Sequence, residues 1–143
     1  PLGRTLATAR CIAAVIGTNP AEIVEEPRLV EHGFGEWEGE IYDEVADLYP
    51  EQWRAREADR WNYQVPGGES YALVAKRVGA WLAEQPEGAQ LIVVSHGLAG
   101  KVLRGLYLGA TREEVFAMPE PQDAVLRLAA GRVVQLPVSA ALG

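Results

Sequence analysis

The stretch Gln90-Leu91-Ile92-Val93-Val94-Ser95-His96-Gly97-Leu98 decides the reading of this chain. An apolar run ends abruptly in Ser-His-Gly, and a helix-like segment follows at once. The pattern predicts a buried strand over Leu91–Ser95. It also predicts a helix with the apolar face Leu98, Val102, Leu103 and Leu106, running up to Gly109. A buried strand presents its last side chains at the carboxyl edge of its sheet, where open α/β sheets bind ligands. His96 is therefore expected at that edge, beside a helix N-terminus whose free N–H groups favour an anion. That points to phosphate chemistry. A lone histidine ending a strand is often only a hydrogen-bonded core residue, but the flanking Ser95 and Gly97 favour function here. Gly97 lets backbone N–H groups approach a ligand closely.

Outward from this stretch, helices and β-prone segments alternate, which implies α/β layering. Leu6, Ala9, Ala13 and Ile16 recur at helical spacing before Gly17. Glu22–Glu25 and Leu29–Glu31 read as short β-prone pieces, and 32–39 as an irregular Gly- and Glu-rich connection. Ile41, Val45 and Leu48 predict a short helix that stops at Pro50, and a polar second helix runs from Glu51 to about Arg60. Ser70 caps a helix with the face Leu73, Val74, Val78, Trp81 and Leu82. Val125–Leu128 and Arg132–Leu136 read as a closing hairpin. No repeat or linker divides the 143 residues, so the chain reads as a single domain over 1–143.

The formal net charge is −7, which argues against nucleic acid or an anionic membrane as the main partner. A small anionic substrate is not excluded, because a local pocket can be positive on an acidic protein. Cys11 is the single cysteine, so no disulfide forms within the chain, and a reducing, cytoplasmic setting is the natural reading. With Leu6, Ala9, Ala13 and Ile16 around it, Cys11 reads as a small helix-face residue rather than a nucleophile. No apolar run is long enough to span a bilayer. The first residues, Pro1-Leu2-Gly3-Arg4, show neither a methionine nor a signal-peptide pattern.

Four groups of residues are candidates for chemistry. His96 is the first. Ser95 is rejected as the nucleophile of a G-x-S-x-G elbow, because the residue two before it is Val93. The second is Arg28-Leu29-Val30-Glu31-His32-Gly33-Phe34-Gly35-Glu36-Trp37-Glu38-Gly39. Glu31 ends a β-prone piece, as His96 does, so the two can converge on one sheet edge, where a carboxyl group serves as general acid to a leaving alkoxide. From composition alone, an exposed loop with ordinary charges is an equal alternative. The third is Arg4, whose guanidinium fork suits phosphate oxygens, although spacing alone would not select it. The fourth joins Trp37, Trp53, Trp61 and Tyr63 with Arg54, Arg56 and Arg60. Most of these read as packing and surface residues, and a lid that sets substrate preference is the minority reading. Two histidines and one cysteine without H-x-x-x-H or C-x-x-C spacing give metal binding little support.

At this point the chain resembles the histidine phosphatase superfamily, the group containing phosphoglycerate mutases and broad-range acid phosphatases. Pro1-Leu2-Gly3-Arg4-Thr5-Leu6-Ala7-Thr8-Ala9 resembles S-P-L-x-R-A-x-x-T-A. Leu29-Val30-Glu31 with Phe34-Gly35-Glu36-Trp37-Glu38-Gly39 resembles L-x-E-x-x-F-G-x-W-E-G. Pro66-Gly67-Gly68-Glu69-Ser70 and Val93-Val94-Ser95-His96-Gly97 resemble the P-G-G-E-S and V-V-S-H-G motifs. The combination is specific where each motif alone would be weak.

The resemblance implies a phosphoglycerate mutase-like fold, a three-layer α/β/α arrangement around a mostly parallel sheet. It implies a histidine nucleophile that forms a phosphohistidine. Glu31 would protonate the leaving alcohol, His96 and Arg4 would hold phosphoryl oxygens, and the backbone N–H groups at Gly97 and Leu98 would assist. No metal or other cofactor is implied, and the partner is a small phosphorylated metabolite. The family's nucleophile lies in an R-H-G motif ahead of S-P-L, and no such motif stands in these 143 residues. His32 follows Glu31 and does not match the nucleophile's position. The chain alone is therefore expected to be inactive and its fold incomplete at the N-terminus, with the first two strands missing. Open sheet edges would favour association into a homo-oligomer. Gly39 to Pro66 is too short for the long insertion that resembles mutases, which favours a phosphomonoesterase over a mutase. A non-catalytic phosphate-binding module is the second reading, and an unrelated α/β scaffold the third.

Overall fold

Local sequence accounts for most of the elements. A computed structural model of the chain describes residues 2–121 and 124–136; Pro1 of the first motif lies outside them. Helix α1 (Gly3–Ile16) starts after Leu2, whose carbonyl oxygen accepts from the Thr5 hydroxyl at 2.8 Å, and it ends at Gly17. Pro50, expected as a stop, separates two helices: α2 (Val45–Leu48) ends before it, and it occupies the first turn of α3 (Pro50–Ala58). There its missing N–H is no loss. The Ser70 hydroxyl accepts from the Leu73 N–H and opens α4 (Tyr71–Ala83). Helix α5 (Gly97–Leu108) begins at His96, and α6 (Arg112–Ala117) carries a reciprocal capping box between Thr111 and Glu114.

Helices α4 and α5 pack against each other and form the main core. Val74, Val78 and Val102 are fully buried there, joined by Leu29, Tyr71, Leu98, Leu103 and Val115. A second cluster gathers Trp37, Val45 and Val65, with Tyr49, Trp53 and Tyr63 against it. Strands β1 (Val125–Ala129) and β2 (Arg132–Leu136) pair antiparallel as the expected hairpin.

Three expectations from the sequence meet a different structure. Glu22–Glu25 is not a strand: Pro20–Glu22 forms a single 3-10 turn, with the Asn19 side chain accepting from the Ala21 N–H. Leu29–Glu31 is likewise no strand: Leu29 closes a 3-10 turn over Pro27–Leu29, and the Glu26 carboxylate accepts from the Arg28 N–H. In both places a proline at the first turn and a side-chain cap outweigh β propensity. The run Leu91–Ser95 belongs to no ladder among the described residues, and Leu91, Ile92 and Val93 are 55%, 65% and 37% exposed. A strand exists through its partners' hydrogen bonds, and no described residues supply them. The β1–β2 hairpin is the only ladder among the described residues, so no parallel sheet lies within them. A concavity of about 600 Å³ lies between α1 and residues 90–94, and it is bordered by neither Arg4, Glu31 nor His96.

Two loops interlock beside the core. The Glu36 N–H donates to the Pro66 carbonyl oxygen at 3.0 Å, and the Glu69 N–H donates to that of Gly33 at 2.8 Å. Gly35 has a φ of +55°, and a Cβ there would fall on the Pro66 oxygen and the Gly68 nitrogen. Because the obstructing atoms are backbone, the site has no inexpensive relaxation. Gly35→Ala is expected to destabilise the chain by about 3 kcal/mol, from left-handed strain plus overlap. Chemical denaturation tests this, and a loss below 1 kcal/mol or so would mean that the two loops separate easily.

Candidate functional site

The sequence-selected residues Arg4, Glu31, His96, Gly97 and Leu98 lie together at the start of α5. Arg4, in the first turn of α1, places Nη2 at 3.1 Å from His96 Nδ1. An arginine can only donate, so Nδ1 holds a lone pair and the ring proton of neutral His96 sits on Nε2. That Nε2 is buried without a hydrogen-bond partner among the described residues. A buried donor left unpaired in this way costs free energy, and an oxygen acceptor placed there would recover it.

Glu31 occupies the N-terminus of α5. Its Oε1 accepts from the Ala99 N–H at 3.1 Å and from the His32 N–H at 3.0 Å, while Oε2 accepts a longer 3.4 Å bond from the Leu98 N–H. A helix start offers N–H groups that the helix itself cannot use, and its dipole favours negative charge. The Leu98 amide thus faces a carboxylate belonging to the chain itself. Gly97 is the first residue of α5.

The backbone that carries Glu31 is held from two sides. Arg77, on α4, donates from Nη1 to the carbonyl oxygens of Arg28 and Val30 at 2.7 and 2.9 Å, and from Nη2 to that of Glu31 at 3.1 Å. The same guanidinium pairs with Glu69 through Nε at 2.8 Å and Nη2 at 2.9 Å. Glu69 Oε2 in turn accepts from the Gly33 N–H at 3.1 Å. From the other side, the Ser95 hydroxyl donates to the Leu29 carbonyl oxygen at 2.9 Å. Ser95 is thus a tie between two segments.

Sequence reasoning assigned no role to Arg77 or Glu69. A signal was present: Arg77 falls between Val74 and Val78, on the stripe that α4 turns toward the core. A charged residue there needs a partner, and Glu69 of the P-G-G-E-S motif is the partner it has.

A cavity of about 400 Å³ opens on the other side of Glu31. Arg56, Arg60, Tyr63, Tyr71 and Lys101 border it, so much of the arginine- and aromatic-rich middle segment faces this space. Arg56 lies over the Trp53 ring at 5.1 Å, and Lys101 pairs with Glu120 at 2.5 Å. His32 also borders the cavity; it is only 9% exposed, and its Nδ1 has no partner among the described residues. No group of three or more metal-ligating side chains is gathered among the described residues. No helix among them is long and apolar enough to cross a membrane.

Burial lowers both histidines below the ordinary imidazole value of 6.5. For His32 the charges of Glu69 and Glu31 oppose that effect, and for His96 Glu31 opposes it while Arg4 and Arg77 reinforce it. The folded chain therefore binds fewer protons than the unfolded chain wherever these rings titrate. Their stabilising share is complete above about pH 6.5 and is lost as pH falls through that value toward the lower folded-state values. Glu26 is held at about 2 by Arg28 and stays ionised throughout that window. The melting temperature is expected to fall between about pH 7.5 and 5.5, and His32→Asn should flatten the slope. A profile with the same slope in the variant would take His32 out of this linkage.

Comparison with known proteins places the chain in a family. The family described as "Histidine phosphatase superfamily (branch 1)" matches residues 1–133. Phosphoserine phosphatase 1 of Hydrogenobacter thermophilus is 33% identical over 112 residues, covering 76% of this chain and 52% of that protein. The bovine 6-phosphofructo-2-kinase/fructose-2,6-bisphosphatase 3 is 32% identical over 87 residues, covering 61% of this chain and 19% of that protein. The chain thus spans about half or less of these relatives. Among solved structures, the α-ribazole phosphatase from Shigella flexneri superposes with a TM-score of 0.74 at 21% identity, covering 94% of this chain and 68% of that one. That likeness shows a shared fold.

Proposed function

The chain belongs to the histidine phosphatase superfamily, and from that premise we propose that it carries the phosphate-binding and acid–base half of a phosphomonoesterase. The observation that carries the reading is the unpartnered His96 Nε2, held beside Arg4 at a helix start already occupied by a carboxylate. An unpaired N–H at His96 Nε2 and a guanidinium bonded to Nδ1 of the same ring suit a phosphoryl group. That the relatives include a phosphoserine phosphatase and a fructose-2,6-bisphosphatase supports hydrolysis as the activity.

The reaction on this reading has two steps. A histidine nitrogen attacks phosphorus, the bond from phosphorus to the ester oxygen breaks, and the Glu31 carboxyl group gives its proton to the leaving alkoxide. Water then attacks the phosphohistidine; Glu31 takes its proton, and the nitrogen–phosphorus bond breaks. Arg4 and His96 hold equatorial oxygens throughout, and the N–H groups at Gly97 and Leu98 assist once Glu31 turns toward the ester. Such transfers depend mainly on positioning and on charge stabilisation. The alcohol portion occupies the cavity beside Glu31.

On this reading His96 binds phosphate and His32 does not match the nucleophile's place, so neither attacks. The family resemblance assigns that role to an R-H-G motif, which does not stand in these 143 residues. The same resemblance places Leu91–Ser95 in a mostly parallel, three-layer α/β/α sheet. Hydrolysis is preferred to mutase-type transfer because Gly39–Pro66 leaves little room for a long insertion.

Two measurements test this reading. Inorganic phosphate should bind the chain, and Arg4→Ala should weaken that binding by about 10- to 100-fold, the worth of a charge-assisted hydrogen bond. Equal affinity in the variant would place the phosphate elsewhere. In the full-length gene product, Glu31→Gln should slow hydrolysis of alkyl phosphates by about 10²–10⁴, with little effect on aryl esters whose leaving groups need no proton. Unchanged turnover of alkyl esters would remove Glu31 from the role of acid.

A further inference from the structure

We infer that Arg77, braced by Glu69, is the positioning residue that aims Glu31, and this inference rests on the proposed acid–base role of Glu31. The argument starts from the donors. A guanidinium carries five N–H groups in a rigid plane. In Arg77 all are used: two on Glu69 and three on the carbonyl oxygens of Arg28, Val30 and Glu31 itself. The segment 28–33 belongs to no helix or ladder beyond its short 3-10 turn. Regular structure therefore leaves the direction of the Glu31 side chain open, and the guanidinium settles it.

Glu69 makes the arrangement stiff. Its bidentate pairing fixes the plane of the Arg77 fork, and its Oε2 also accepts from the Gly33 N–H, two residues beyond Glu31. Glu69 is held below the ordinary carboxylate value against the effect of its own burial, chiefly by its hydrogen bonds with Arg77 and Gly33. The Arg77–Glu69 pair therefore grips the chain on both sides of residue 31. Arg77 sits on α4, which packs directly on α5, so the grip refers Glu31 to the helix whose N-terminus it faces. Arg77 does not border the cavity assigned to the alcohol, whereas Glu69 lies on its wall beside Glu31 and His32.

Lysine at residue 77 keeps the charge but cannot bond two carbonyl oxygens and a carboxylate in one plane. The first test is nuclear magnetic resonance on the chain as described. In the wild type, the Ala99 amide proton should shift with pH in step with the Glu31 carboxyl carbon, because the two are hydrogen-bonded. The groups facing this pair are His32, His96, Arg4, Arg77 and Glu69, so the Glu31 carbon is followed directly to separate its titration from theirs. In Arg77→Lys and Glu69→Gln the amide should lose that correlation while the Val74 and Val102 core amides keep their shifts. An Ala99 amide that still follows Glu31 in both variants would overturn the proposal. If Arg77→Lys fails to fold, Glu69→Gln alone decides.

The second test uses the full-length gene product. Both variants should lower kcat on alkyl phosphates at least about tenfold relative to aryl phosphates, with KM for the aryl ester unchanged. A purely structural loss would lower both substrates together, and that result would overturn the proposal. If Glu31→Gln itself leaves the alkyl-to-aryl ratio unchanged, the acid role has failed, and the amide titration still decides whether Arg77 positions the side chain.

Discussion

The Arg77 guanidinium does for residues 28–31 what a neighbouring strand does elsewhere. Backbone carbonyls removed from water need donors, and a sheet normally provides them in series. Here one side chain supplies three, while Ser95 supplies a fourth, to Leu29. The arrangement is compact because it refers a loop to helix α4 without requiring regular pairing. It also explains why a charged residue lies on the inward stripe of α4, between Val74 and Val78. Once the fork is paired with Glu69, the charge is neutralised in place and its remaining donors are fixed in direction.

The same logic governs the start of α5. The chain as a whole carries a net charge of −7, yet it sets Arg4 against His96, the residue that opens α5. In the structure a carboxylate of the chain itself, Glu31, satisfies the Leu98 and Ala99 amides. An anion is therefore already accommodated there, and its electrostatic cost has been met by the helix start. His96 Nε2 is different: Arg4 engages Nδ1 of the ring, and among the described residues Nε2 has no acceptor. The carboxylate is thus fully paired at the helix start, while one ring N–H beside it is not.

What was legible in the sequence was mostly what local chemistry controls. Gly17, Ser70 and Gly109 mark helix boundaries, and the hairpin at 125–136 falls where the alternating runs placed it. Arg4, Glu31 and His96 were singled out by residue type and motif, and they lie together. The misreadings arose where a side chain or a distant partner decides the backbone. Asn19 and Glu26 close 3-10 turns that β propensity does not foresee. Leu91–Ser95 has the composition of a strand, but composition carries no information about which neighbour completes it. Arg77 carried a signal in its place on the α4 stripe, but the carbonyl oxygens it holds lie 46 to 49 residues away in sequence. Periodicity identifies faces, and it does not identify the ends of long polar side chains.

The interlocked loops give the P-G-G-E-S segment a physical purpose beyond resemblance. Gly68 approaches the 33–35 loop so closely that a Cβ would stand 2.6 Å from the Gly33 oxygen and 2.8 Å from the Gly35 nitrogen. Backbone contact at that distance brings Glu69 directly under residues 31–33, and Glu69 in turn fixes Arg77. Ser70 then caps α4, which carries Arg77 one face along the same helix. The glycines, the acid and the hydroxyl therefore act in sequence order on one object, the backbone of Glu31. On the other side of that residue, the cavity wall has its own economy: Glu120 engages Lys101, while the Arg60 Nε stands 3.8 Å from Glu57. Arg60 also lies over the Phe116 ring at 4.9 Å, so the wall of this cavity is held by charge pairs and ring contacts while the backbone of Glu31 is braced from the opposite side.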